Sequence, residues 1–545
     1  WPSANGKVYT SIYLRQSFRD GPHVRKRNLA NLTHCAPEEV AAIELALRHH
    51  KENLAVLGSL DSIPLTQGPS VGAVWTVWEA ARRLGLIQAL GADFAGQLAL
   101  WQVLTRVLDQ GSRLSAVRLA QVHAAGDVLG LRRGFDENDL YANLTWLSQH
   151  QPAIEERLFA ARRGRQPPEL FLYDVTSSYL GGEQNAYGEY GYNRDGQKGK
   201  KQIVIGLLCD EHGEPVSTEV FRGHTQDAQT FAAQVKKASQ RFGCQRVTFV
   251  GDRGMIKSGQ VQDLAEAGFP YITAITKPQI EKLLAAGVLQ WELFATEVCQ
   301  IEQDGVRYVL RRNPLRAAQL AAGRADKQAR LEQMCQSWNQ YLAAHPRARV
   351  ATAEKALRAK MAQLQSGDWL ELRTAGRSVQ LRVNAAALEE RARLDGCYVL
   401  KTDLPDSAAS AQVIHDRYKD LAQVEQAFRT CKTVHLETRP IHVRTAEHTR
   451  GHVLVVMLAY LIRRELSRAW AGLDVTVEEG LHQLQSLCST EIRVPGGGSC
   501  LRIPAPAAGA RALLDALDIH LPEALPHREV RVVTRKKLPT RRQSH

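Results

Sequence analysis

Paired cysteines are missing from this chain. Its nine cysteines are scattered through 545 residues, the closest two being Cys488 and Cys500, and no Cys-x-x-Cys occurs. That spacing argues against a zinc ribbon or a disulfide framework and reads as reduced thiols filling the cores of a cytosolic protein. Long apolar runs are also absent. The longest, Val453 to Ile462, is about half of the roughly 20 residues a bilayer crossing needs, so no membrane partner is expected. Neither a charged n-region nor an apolar h-region follows Trp1, so nothing reads as a secretory signal, and a start site upstream of this numbering is expected. No phosphate-binding loop is complete: Gly191 to Lys198 carries Gln197 where Gly-Lys-Ser/Thr would be required. The segment reads as a basic loop with Tyr187, Tyr190 and Tyr192 interleaved.

What is present suits a multidomain globular protein. Hydrophobic residues make up 44% and charged residues 23%, and the length corresponds to about three to five folding units. The 70 Lys and Arg outnumber the 57 Asp and Glu, a net +13 that makes a polyanion a plausible partner. Residues 7 to 33 alternate in a strand-like way around Asp20-Gly21-Pro22, which predicts a β-hairpin. Three-and-four spacing predicts helices from Pro37 to about Leu57 and from Val71 to Leu147, and the breaker-rich Ala161 to Pro168 predicts a boundary.

Beyond it, Leu170-Phe-Leu-Tyr-Asp174 and Arg246-Val-Thr-Phe-Val-Gly-Asp252 are apolar runs that each end in a carboxylate. They read as buried strands, and the carboxyl edge of such a sheet is where ligands bind. Strands are also predicted at Lys201 to Cys209 and Pro215 to Phe221, and a helix over Asp227 to Phe242. The character changes over 281–395, where strand-like pieces flank one long helix near Ala317 to Leu364, as an inserted domain would. The sheet pattern resumes at Gly396 to Thr402, a helix carries Glu425, and an apolar helix follows over Val453 to Leu466. A turn is expected at Pro495 to Gly498 and a basic tail at Arg535 to Arg542. The division expected is 1–70 hairpin and helix, 71–165 helical and a possible DNA-end-binding region, 166–280 and 396–475 the two parts of the core, 281–395 the insertion, and 476–545 a C-terminal unit.

Asp174, Asp252 and Glu425 are oxygen ligands of the kind that hard divalent cations require. Singly, each has an ordinary role, since a strand-end Asp caps turns and a helical Glu is solvated. Their surroundings add more. Tyr173 to Tyr179, Phe221 to Phe231, Val250 to Met255 and Tyr418 to Lys432 together, in that order, resemble the motifs of bacterial insertion-sequence transposases of the DDE type, the group with a long insertion between the second Asp and the Glu. The last segment is similar to that family's Tyr-(2)-Arg-(3)-Glu-(6)-Lys signature, with Leu421 where the family has Arg and His224 where Asn is usual in the second segment. Tyr418, Glu425, Arg429 and Lys432 are expected along one face of a single helix.

The resemblance implies an α/β fold with an RNase H-like mixed sheet, an inserted domain and an N-terminal helical region. It implies a DNA transposase that cuts element ends and joins 3′-hydroxyls to target DNA by two-metal phosphoryl transfer. Asp174, Asp252 and Glu425 would hold Mg2+, with Mn2+ as substitute, and Tyr418, Arg429, Lys432 and Arg253 would contact DNA. The implied partners are terminal inverted repeats and target DNA, the assembly a homodimer or larger synaptic complex, and the setting the bacterial cytoplasm at the nucleoid. Two rivals stand beside this reading: a nuclease of the same fold without strand transfer, and a catalytically silent DNA-end-binding protein. His435, His442, His448 and His452 lack the accompanying ligands of a zinc site, and a structural or phosphate-contacting role is expected for them. Trp291 and Trp338 read as core residues or as wedges into DNA.

Overall fold

The computed structural model describes residues 10–51, 64–164, 168–433, 435–493, 499–526, 528 and 532. The expected turn at Pro495 to Gly498 and the tail Arg535 to Arg542 lie outside the described residues. The chain divides into two compact units: residues 1–79, 117–135 and 469–545 form one, and residues 80–116 with 136–468 form the other.

The first unit opens with β1 (Tyr13–Asp20) and β2 (His23–Asn31), an antiparallel hairpin closed by Gly21-Pro22. Gly21 takes a φ of 61°, a left-handed value that a side chain resists and that such two-residue turns require. The helix Pro37–Lys51 follows, with Glu38 and Glu39 in its first turn, where carboxylates favour the helix dipole. Then comes β3 (Leu65–Ser70). The helical stretch expected from Val71 is a series of separate helices, parts of which belong to each unit, interrupted by glycines in left-handed or extended positive-φ geometry at Gly85, Gly91 and Gly130. The last of the series, Glu137–Arg163, belongs to the second unit, starts from an Asp136 capping box and runs into the segment expected to be a boundary at Ala161.

The second unit is built on one mixed sheet. In chain order its strands are β4 (Leu170–Tyr179), β5 (Gln202–Cys209), β6 (Pro215–Arg222), β7 (Thr248–Gly251), β8 (Tyr271–Ala274), β9 (Cys299–Gln303) and β10 (Val306–Arg312), followed after an excursion by β13 (Cys397–Thr402). Their order across the sheet is β6-β5-β4-β7-β8-β13-β10-β9. β6, β5 and β4 run antiparallel, β4, β7 and β8 run parallel, and the remaining pairs are antiparallel. This is a mixed sheet, as anticipated above. Phe171, Tyr173 and Val175 bury one face of β4 against Phe231, Phe249 and Phe269. The two-residue period of a strand therefore sends Leu172, Asp174 and Thr176 to the other face.

The excursion starts later than the sequence suggested, because β9 and β10 belong to the main sheet. It contains two helices, Pro314–Ala344 and Val350–Leu364, where one was expected. Pro346 falls in the break, where its missing N–H and fixed φ end a helix. With β11 (Leu370–Ala375) and β12 (Ser378–Val383), these helices enclose their own apolar cluster around Leu331, Leu342, Leu357 and Trp369. Trp338 packs against that cluster, and Trp291 against another under β10 with the Arg393 guanidinium 3.9 Å over its ring. Back in the first unit, β14 (Cys488–Arg493), β15 (Ser499–Arg502) and β16 (Ala524–Leu525) join β3 in a four-stranded sheet ordered β16-β15-β14-β3. Among the described residues no helix is long and apolar enough to cross a membrane.

Candidate active site

The geometry of the site follows from strand register. β4 and β7 are parallel neighbours, with Tyr173 opposite Gly251, so Asp174 and Asp252 each follow directly on a paired residue, on strands whose spacing is roughly 5 Å. β7 ends there and Asp252 begins a turn, whereas β4 continues to Tyr179. Asp174 is thus mid-strand, not at a strand end as its sequence suggested. The helix Leu421–Lys432 packs on β4 and carries Glu425. Asp174 is partly buried, while Asp252 and Glu425 are exposed. Burial raises the Asp174 carboxyl to about 7, its Val175 N–H bond opposes this, and the nearby charges of Asp252 and Glu425 push it further up. The three carboxylates are therefore within electrostatic reach of one another.

Tyr418 does not share Glu425's helix. It lies on Ala411–Lys419, and the chain breaks at Asp420 before the next helix starts. Its hydroxyl nonetheless donates to Asp252 Oδ1 at 3.1 Å, and burial together with that carboxylate raises the phenol well above its ordinary range. Asp252 Oδ1 also accepts from the Arg253 N–H at 2.7 Å. The side chains of Arg253 and Arg429 are exposed. Lys432 is engaged internally: its ammonium lies 2.5 Å from Asp195 and donates to Thr176 at 2.8 Å. Burial lowers its pKa, against the pull of Asp195.

Two residues near the site, Asp195 and Arg194, had no assigned role in the sequence. Asp195, with a side chain only 1% exposed, joins Lys432 and Arg439 and accepts from the Tyr179 N–H. Arg194 donates to Asp227 and is the cation that draws the Asp174 carboxyl down. These residues sit in or face the loop between β4 and β5, where a run such as Asn193-Arg-Asp-Gly196 reads as an ordinary turn. Its tyrosines, Tyr190 and Tyr192, are exposed at 65% and 80%. A cavity of about 260 Å³ borders Asp252, Arg253 and Tyr418.

The chemistry of the donors fits a hard divalent cation: all are carboxylate oxygens, and burial with two like-charged neighbours raises the Asp174 carboxyl to about 7, a strain that a bound cation would relieve. Among the described residues no three His, Cys, Asp or Glu side chains already stand at ligating distance of a common point. Mutual repulsion of bare carboxylates favours such an open arrangement. Among the described residues the histidines form no metal group either. His452 is buried, lies 3.2 Å from an Arg113 guanidinium nitrogen and is held neutral by burial, and His435 lies 3.1 Å from Arg463.

Adjacent parallel strands that lead into Asp174 and Asp252 place acidic side chains at one edge of a mixed sheet, and comparison with known proteins names the family. Residues 165–462 match the transposase DDE domain, and residues 3–61 match the N-terminal domain of IS1634 family transposases. The chain belongs to the DDE transposase domain family and is an insertion-sequence transposase, an enzyme of metal-dependent DNA cleavage and strand transfer. Among solved structures it is similar to a piggyBac transposase synaptic complex with hairpin DNA, at 10% identity over 77% of this chain and 82% of that one, with a TM-score of 0.36. It is also similar to a Mos1 transposase paired-end complex with the left transposon end, at 15% identity over 32% of this chain and 57% of that one, with a TM-score of 0.15. Among curated proteins none matches the chain.

Proposed function

We propose that Asp174, Asp252 and Glu425 are the catalytic carboxylates of this transposase and hold Mg2+, with Mn2+ as a substitute. Bound there, the cations would polarise the scissile phosphodiester and stabilise charge on its attacking and leaving oxygens. The observation that supports this reading is the Tyr173–Gly251 pairing, with Asp174 and Asp252 the next residue on each strand and the helix of Glu425 packed on β4. The remaining roles belong to side chains around them. The Tyr418 hydroxyl fixes the Asp252 carboxylate. Arg253 and Arg429, both exposed, neutralise backbone phosphates near the cut, which positions a strand without reading its sequence. Lys432 contributes to phosphate binding indirectly, by locking Asp195 and its loop beside the site.

The substrate is the pair of terminal inverted repeats of the element, and the product is element DNA joined through its 3′-hydroxyls to a target, by a homodimer or larger synaptic assembly acting in the bacterial cytoplasm. The test uses purified full-length protein, Mg2+ and a plasmid carrying the coding sequence with its native flanks. Asp174→Asn, Asp252→Asn and Glu425→Gln should each lower cleavage by about a thousandfold or more, the loss of several kcal/mol of transition-state stabilisation, with DNA binding within about twofold of wild type. Normal cutting by any variant removes that residue from the site. Cleavage without joined products favours the nuclease reading, and end binding without cleavage favours the silent-binder reading.

A further inference from the structure

The β1–β2 ribbon is exposed on both faces. Of its strand residues only Leu14 is partly covered, and Tyr13, Phe18, Val24 and Leu29 are between 41% and 64% exposed. An isolated two-stranded hairpin is marginal in water, so a ribbon of this kind gains from a partner. Charge indicates which. Arg15, Arg19, Arg25, Lys26 and Arg27 stand against the single carboxylate Asp20.

Register sorts these residues by face. Arg15 is opposite Asn28, Ser17 opposite Lys26, and Arg19 opposite Val24, all on one side. On the other side Gln16 opposes Arg27, Phe18 opposes Arg25, and Asp20 opposes His23, with Arg25 paired to Asp20 at 2.8 Å and Arg27 bonded to Gln16 at 3.3 Å. The first face therefore presents three cations, an amide and a hydroxyl with no carboxylate among the described residues. The exposed apolar side chains are split between the two faces, so neither offers the continuous apolar surface that a protein partner would bury.

We propose that this ribbon enters the major groove of duplex DNA through its Arg15, Ser17, Arg19, Lys26 and Asn28 face and supplies the chain's sequence preference. A groove about 12 Å wide admits a two-stranded ribbon, and Arg and Asn are the side chains that read guanine and adenine edges by paired hydrogen bonds. Residues two apart on one strand are about 7 Å apart, close to two base-pair rises, so Arg15 and Arg19 reach positions about four base pairs apart. Arg15 Nε is already held by Asn28 Oδ1 at 2.9 Å, which presents the two side chains as one pre-set unit. The inference rests on the reading of the chain as a DNA transposase and adds which surface recognises the ends.

The experiment selects from a pool of 40-bp duplexes with 20 central base pairs randomised, using full-length wild type, D174N, R15A, R15K and R27A, and sequences the bound fraction. Wild type and D174N should enrich one shared motif. R15A should bind the enriched duplex between about 5- and 150-fold more weakly. R15K, which keeps the charge, should lose preference at one position of the motif. R27A, on the face turned away from the groove, should keep the motif and bind the enriched duplex within about twofold of wild type. The proposal is overturned if wild type enriches no motif, or if R15A and R27A weaken binding alike. It is also overturned if R15A changes the sedimentation of the DNA-free chain and leaves the motif intact, since the ribbon would then join two copies. A motif-bearing duplex that wild type binds but does not cut with Mg2+ would count against the catalytic reading alone.

Discussion

Replacing Asp195 by Asn keeps the size of the side chain and an oxygen for the Tyr179 N–H, but removes the charge that Lys432 and Arg439 share. The Lys432 side chain is 11% exposed and that of Arg439 is 28% exposed, so water can compensate the arginine in part and the lysine hardly at all. Deleting one partner of a buried pair costs about 3–5 kcal/mol. With one cation partly solvated, the expected loss is at the low end, about 3 kcal/mol. At a urea slope near 3 kcal/mol per molar, this lowers the unfolding midpoint by about 1 M. Tryptophan fluorescence during urea titration of the full chain measures it. The double variant Asp195→Asn with Lys432→Met removes the stranded cation and should recover more than half of the loss. A midpoint for Asp195→Asn within about 0.2 M of wild type, or a double variant as unstable as the two single losses added together, would refute the argument.

Tyr418→Phe keeps the ring and loses the hydroxyl bonded to Asp252. Single-turnover cleavage should slow by about fivefold, near 1 kcal/mol, with the urea midpoint unchanged. Asp174 gives a pH signature. Its folded pKa of about 7, raised first by burial, lies above the unfolded value of about 3.9, so the metal-free folded chain holds the extra proton. That contribution to stability is present at low pH and fades as pH rises from about 4 through 7. Mg2+ binding at pH 6 should then displace close to one proton, and calorimetry in buffers of different ionisation enthalpy would contradict this by returning none. Arg377 donates to the carbonyls of Leu342, His345 and Ala348 where the helix Pro314–Ala344 ends. Arg377→Ala should speed amide exchange in the last turns of that helix, by about 1 kcal/mol of local stability, and leave β13 unaffected.

The sheet was legible because its buried strands are apolar runs: Leu170 to Tyr173 and Thr248 to Gly251 are buried and read as strands at once. Their juxtaposition was not, since parallel register is set by the packing of Phe171 on Phe249 and of both on the helices beneath, a long-range outcome that periodicity does not encode. Spacing placed Tyr418 on the face of Glu425, but the chain turns at Asp420, and the tyrosine reaches Asp252 from a separate helix. Lys432 read as a cation waiting for phosphate because its counterion, Asp195, is remote in sequence. β9 escaped notice because Cys299 to Gln303 is half polar, as an edge strand can be. Pro346 was the visible signal that the long helix of the insertion is two.

The pairing of Arg312 with Cys397 means that the chain leaves the sheet and re-enters it one strand spacing away. Everything between is, to the sheet, a generous hairpin loop, and it folds around a cluster of its own. Such a cassette can be lengthened, shortened or exchanged for another while the catalytic scaffold keeps its hydrogen-bond ladder, which gives a mobile enzyme a place to vary its reach without touching its chemistry.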